Sequence, residues 1–107
     1  NPDMLHVGIL PTNDLWSKFF KALRLIVIDE VHAYRGVFGS HVGNVVRRLL
    51  RIAEWHHARP QIVCCSATIG NPLELTERIT GRSSTLIDDD GSPKGNRSVI
   101  FMNPPLI

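Results

Sequence analysis

Leu25-Ile26-Val27-Ile28-Asp29-Glu30-Val31-His32 constrains the fold of this chain more than any other stretch. A run of consecutive aliphatic residues, most of them β-branched, leads straight into two carboxylates and a histidine. Such a run suits a strand buried on both faces of a parallel sheet. In an open α/β sheet the residues just past the carboxyl end of a strand lie at the crevice where ligands bind. Asp29 and Glu30 are therefore placed for chemistry, unless they are merely an acidic turn after a strand.

A second apolar segment, Ile62-Val63-Cys64-Cys65, ends in Ser66-Ala67-Thr68. Each strand would deliver small polar or charged groups at its carboxyl end, which favours one shared site over two coincidences. Between them the apolar positions Val42, Val45, Val46, Leu49 and Ala53 follow the helical period and predict a long helix over about Ser40–His57. Its opposite side carries Asn44, Arg47, Arg48 and Arg51. Strand, helix and strand in that order give an α/β fold with a parallel sheet and flanking helices.

Shorter elements flank this unit. Asn1 as N-cap and Pro2 at the first helical position predict a helix with an apolar face of Met4, Leu5 and Ile9, stopped by Pro11. Trp16, Phe19, Phe20 and Leu23 predict a second helix over Thr12–Leu23 packed on the sheet. Asn71-Pro72-Leu73-Glu74 supplies an N-cap, a proline and a reciprocal acidic residue for a helix ended by Gly81. Ser84–Ile87 is a candidate strand, Asp88-Asp89-Asp90-Gly91 a solvated turn, and Arg97–Met102 an extended apolar segment.

A chain of 107 residues allows one domain and one modest core. No apolar run reaches the roughly 20 residues that span a bilayer, so the expected location is the cytoplasm, with no membrane partner. The net charge of +2 is too small to argue for nucleic acid. Cys64 and Cys65 are adjacent and offer no metal spacing, so they read as small core residues. His56 and His57 lack the i, i+4 spacing of a metal pair and read as solvated residues at a helix end.

The ordered motifs are also recognisable. Asp29-Glu30-Val31-His32 resembles the Walker B box of superfamily 2 helicases in its DEVH form, and Ser66-Ala67-Thr68 resembles their motif III. Together with Asn1-Pro2-Asp3-Met4-Leu5-His6, Tyr34-Arg35-Gly36-Val37-Phe38-Gly39-Ser40-His41-Val42, Gly91-Ser92-Pro93-Lys94-Gly95 and Asn103-Pro104-Pro105, the set is similar to the MrfA/YprA-type DEVH-box DNA helicases. No phosphate-cradling G-x-x-x-x-G-K-[ST] loop is present. The resemblance therefore implies a partial RecA-like P-loop NTPase domain without its Walker A strand. Residues 1–107 would be the C-terminal part of the helicase ATP-binding domain, with about 98–107 starting the linker to a second RecA-like domain.

The resemblance also implies roles. Asp29 would hold Mg²⁺ through a water, Glu30 would orient and activate the attacking water on ATP, and His32 would reach towards Ser66 and Thr68 to couple hydrolysis to movement. Asn1, Pro2 and Asp3, at the position of motif Ib, would meet DNA phosphates. Arg35 would be structural or face DNA. The implied partners are DNA, as a single strand or 3′ tail, and the second RecA-like domain of the same chain; the implied activity is ATP-dependent DNA unwinding in DNA repair. A non-catalytic nucleic-acid or partner-binding module and a double-strand translocase remain the alternatives. Because the Walker A strand is missing, Ile62–Cys65 should expose an open sheet edge, and the segment alone should be inactive.

Overall fold

The computed structural model describes residues 1–89, 91–93 and 95–103. The readings that touch Asp90, Lys94 and 104–107, including the end of the expected linker, lie outside these residues. The fold is α/β, with two parallel strands in one sheet, β1 (Leu25–Ile28) and β2 (Gln61–Cys64). Leu25 pairs with Gln61, Ile26 with Ile62, Val27 with Val63 and Ile28 with Cys64. Their connection is the helix α3, Gly36–Trp55.

The apolar stripe of α3 does what its period predicts. Val42 and Val46 meet Ile28, Val31 and Ile79 in one cluster, with Ile26, Ile62 and Cys64 packed against it. Val45 and Leu49 join Leu10 and Phe20 in another. Helix α4 (Pro72–Thr80) closes over α3, where Gly43 lets the backbone at Ile79 come close. Gly81 ends α4 in the left-handed region, with φ of 70°, as its place after the helix predicts.

Several expectations are corrected. Helix α3 begins at Gly36 and not at Ser40. Extended Arg35 leads directly into it, and the Gly39 N–H reaches the Arg35 carbonyl at 3.0 Å, so residues 36–39 are already helix. The second helix is shorter than expected, α2 at Ser17–Ala22. Residues 12–16 are instead consecutive turns, with i+3 bonds such as Leu15 N–H to Thr12 O at 3.0 Å and the Asn13 amide on the Leu10 carbonyl at 3.1 Å. Local polar side chains compete there with the helical ladder. Only Phe20 of the aromatic group is fully buried; Trp16 and Phe19 stay about half exposed and meet edge to face.

His56 is not solvated. It is buried, stacks on Phe20 at 5.4 Å between ring centroids, and its Nε2 lies 3.2 Å from Asn13 Oδ1. An amide oxygen only accepts, so Nε2 carries the proton. His57 is exposed, in the left-handed region at φ 62°. Asn71 does not cap α4 through its side chain; its amide donates to Glu74 Oε2 at 3.1 Å.

The sheet is covered on one face only among the described residues. Leu25 is 50% and Val27 58% exposed, so the expected burial of β1 on both faces does not hold. Neither strand has a further neighbour among these residues, which leaves β2 with the open edge expected of it. Ser84–Ile87 forms no strand, because no neighbouring strand gives its backbone a ladder, and Ile87 stays exposed. Cys64 is half-buried and Cys65 exposed, both as free thiols, so only the first is a core residue. The first helix is a single α turn, α1 (Pro2–Met4), continued as a wider π-helix over Leu5–Ile9. No helix of the described residues is long and apolar enough to cross a membrane.

Candidate functional site

The parallel pairing brings the carboxyl ends of β1 and β2 side by side, and with them the polar groups that follow each strand. The ladder continues past the strands: Cys65 N–H donates to Ile28 O at 2.9 Å and Val31 N–H to Cys65 O at 3.0 Å. Between those two bonds lie Asp29 and Glu30. For the chain to return to the ladder at Val31, Glu30 adopts the left-handed region, with φ of 53° and ψ of 39°. A non-glycine residue there costs on the order of 1 kcal/mol, and such costs gather at functional sites. Val31 is buried as a result, anchoring the turn from below.

The two carboxylates thereby acquire different surroundings. Asp29 Oδ1 accepts the Glu30 N–H at 2.9 Å, which fixes one oxygen and leaves the other open to solvent. Glu30 turns its side chain towards His32, whose Nε2 lies 3.1 Å from Glu30 Oε2. The other ring nitrogen of His32, Nδ1, accepts the backbone N–H of Ala67 at 3.1 Å. A backbone N–H only donates, so Nδ1 is bare and Nε2 carries the proton given to Glu30. One neutral imidazole thus bridges the carboxylate after β1 and the backbone after β2.

Asp29, Glu30, His32 and Ser66-Ala67-Thr68 are therefore gathered at one end of the sheet, as the two-strand reading anticipates. His32 does reach the segment Ser66-Ala67-Thr68, but through the main chain and not through either hydroxyl. His32 meets the main chain of Ala67, while the Ser66 hydroxyl donates to the neighbouring Ala67 carbonyl at 2.9 Å. Thr68 is exposed, and its hydroxyl has no hydrogen-bond partner among the described residues. Nothing in the side chain of Ala67 could signal this role, since the group that acts is an amide common to nearly every residue.

The expected DNA-facing residues make no bond to Glu30, His32 or Ala67. Asn1 caps α1 by accepting the Asp3 N–H on Oδ1 at 2.9 Å. Arg35 stands at the entry to α3 and, with Arg47, Arg78 and Asn71, lines a cleft of about 490 Å³ between α3 and α4. Arg47 spans that cleft and donates to the Arg78 carbonyl at 2.9 Å. Among the described residues no cluster of three His, Cys, Asp or Glu side chains could hold a metal alone.

Comparison with known proteins places the chain in a family. Residues 1–76 match the family model described as DEAD/DEAH box helicase. The chain is 53% identical over its whole length to the ATP-dependent helicase YprA of Bacillus subtilis, and spans 14% of that protein. It is 43% identical to the ATP-dependent helicase HRQ1 of Saccharomyces cerevisiae, again over its whole length, and spans 10% of it. Among solved structures, the DUF1998 helicase MrfA bound to DNA superposes with a TM-score of 0.86 at 56% identity, over 89% of this chain and 13% of that one. MrfA bound to DNA and AMPPNP superposes with a TM-score of 0.85 at the same identity, over 89% of this chain and 13% of that one. Since its residues 1–76 match that family model, more than half of its length, the chain belongs to the DEAD/DEAH box helicase family.

Proposed function

We propose that these residues are the C-terminal part of the ATP-binding domain of a DNA helicase, in which ATP hydrolysis at Asp29 and Glu30 drives strand separation. The observation that carries this reading is the Glu30–His32–Ala67 bridge. It joins the carboxylate suited to activate water to the loop suited to sense the result. Support for ATP and DNA as ligands comes from relatives named ATP-dependent helicases and from MrfA, solved with DNA and with AMPPNP.

In this reading Asp29 offers its open oxygen to Mg²⁺ through a water. One hard carboxylate oxygen with no further protein ligand suits Mg²⁺, which keeps several waters and shares the phosphates of its substrate. When bound, the ion neutralises phosphate charge and orients the terminal phosphate. Glu30 positions the attacking water and takes its proton. His32 holds Glu30 Oε2 by hydrogen bonding, so a shift of Glu30 as the phosphate leaves pulls on the Ala67 backbone. Ser66 and Thr68 belong to the loop that moves.

Arg35 and the turn Asn1-Pro2-Asp3 face the DNA. Asn1 Oδ1 is already engaged with Asp3, so its amide nitrogen is what Asn1 offers a phosphate. A second RecA-like domain of the same polypeptide completes the nucleotide site, and about 98–107 starts the linker to it. The strand engaged is a single strand or 3′ tail. The proposed setting is DNA repair in the cytoplasm.

The test is ATP hydrolysis by the full-length polypeptide with and without single-stranded DNA, comparing wild type with Glu30→Gln. DNA-stimulated turnover that disappears in the variant supports the reading; no turnover in the wild type, with DNA binding intact, would make this a binding module.

A further inference from the structure

A second group of basic side chains lies away from the carboxylate site, where the π-helical turn after α1 packs against α3. His6, His41, Asn44, Arg47, Arg48 and Arg51 line a cleft of about 310 Å³ there. The two imidazoles meet edge to face at 5.3 Å, and Arg48 donates to His6 Nδ1 at 3.3 Å. Arg48 is thereby held in the wall of the cleft and not left to wave in solvent.

The charge of this cleft is uncompensated. None of the lining side chains is acidic, and none of Arg47, Arg48 and Arg51 has a carboxylate within ion-pairing distance among the described residues. Arg47 is turned aside to the Arg78 carbonyl. Arg48 spends one bond on a neutral ring, and Arg51 has no hydrogen-bond or ion-pair partner among the described residues. His41, Asn44, Arg48 and Arg51 follow one face of α3, a stripe rising about 15 Å along the helix. That length follows more than one phosphate of a nucleic-acid strand.

We propose that this cleft is a phosphate-binding subsite for a DNA strand, with Arg48 and Arg51 as its charged contacts and His6 and His41 as its wall. The proposal rests on the reading of this protein as one that engages DNA, and adds a contact surface distinct from Asn1, Pro2, Asp3 and Arg35. Guanidinium groups suit the task because they present several donors in a planar fork and are weakly hydrated. An isolated solvated basic face would need neither the imidazole wall nor the cleft.

The experiment is equilibrium binding of a fluorescein-labelled oligothymidine to the full-length protein by anisotropy, over a salt series. For a single strand, removing one phosphate-binding charge lowers the slope of log affinity against log salt by about 0.7. Arg51→Gln should lower it by about 0.7 and Arg48→Gln/Arg51→Gln by about 1.4, with roughly tenfold weaker binding for the double variant near physiological salt. Arg48→Lys/Arg51→Lys should keep most of the slope. Arg51 makes no hydrogen bond or ion pair to another described residue, so Arg51→Gln decides the matter even if the double variant folds poorly.

An unchanged slope in Arg51→Gln and the double variant overturns the proposal. Within that result, tight binding of inorganic phosphate alone would make the cleft a small-anion site. A fall in the melting temperature of the full-length protein would make it a dock for an acidic face of the same polypeptide. If the wild type shows no DNA-stimulated ATP hydrolysis, the helicase reading fails separately, because the salt series requires only binding.

Discussion

The imidazole of His32 accepts the Ala67 N–H on Nδ1 at 3.1 Å while its Nε2 lies 3.1 Å from Glu30 Oε2. No other polar side-chain contact ties the segment after β1 to the segment after β2 among the described residues. A change in the position of Glu30 therefore has a short, specific route to the loop Ser66-Ala67-Thr68.

His32→Ala removes both bonds. Each hydrogen bond contributes about 1 kcal/mol, or roughly fivefold in an equilibrium. The variant should separate strands several-fold less per ATP hydrolysed, measured as the ratio of unwinding to phosphate release. Ser66→Ala and Thr68→Ala should lower the same ratio less than His32→Ala does, because neither hydroxyl bonds to Glu30 or His32 and Ser66 reaches only the Ala67 carbonyl. Equal losses of hydrolysis and unwinding in His32→Ala would argue against coupling.

The order of strand, carboxylates, helix and second strand is legible in residues 25–68 because burial periodicity and strand-end chemistry are both local properties. The same is true of the α3 stripe and of Gly81. What is not legible depends on partners distant in sequence. His56 looks like a solvated helix end until Phe20 and Asn13 arrive beside it. Glu30 carries no sign of its left-handed backbone, which is imposed by the return of Val31 to the ladder at Cys65. The contact through Ala67 is made by the main chain, so no side-chain pattern could reveal it.

Packing around the start of α3 gives a stability prediction. A Cβ on Gly39 would run into the carbonyl carbon and oxygen of Tyr34, whereas one on Gly43 meets the Ile79 and Arg78 backbone at ordinary contact distance. Gly39→Ala should destabilise by about 1–3 kcal/mol, the usual cost of overpacking. Gly43→Ala should be close to neutral, since the helix propensity gained offsets the tighter contact. Urea unfolding of the two variants in the same background checks the contrast.

The paired cysteines should differ in reactivity. Burial pushes the Cys64 thiol up, with the Thr76 hydrogen bond partly opposing it and neighbouring Cys65 adding to the rise. Since the thiolate is the reactive form, iodoacetamide should alkylate exposed Cys65 well before Cys64, about tenfold faster at pH 8. Mass spectrometry of Cys64→Ser and Cys65→Ser reads this directly. The folded state favours the neutral Cys64 thiol. Its contribution to stability is thus complete below the unfolded thiol's pKa and is lost as pH rises through the folded one.

The most direct measurement is steady-state ATP hydrolysis by the full-length polypeptide carrying Glu30→Gln, with single-stranded DNA saturating. Glutamine keeps the shape of the side chain and an oxygen for His32 but cannot take a proton. Turnover should fall by a factor of about 10² to 10⁴, the usual contribution of a general base, while binding of a non-hydrolysable ATP analogue is retained. Turnover within a fewfold of wild type would contradict the assignment of Glu30, and with it the catalytic reading of the strand-end site.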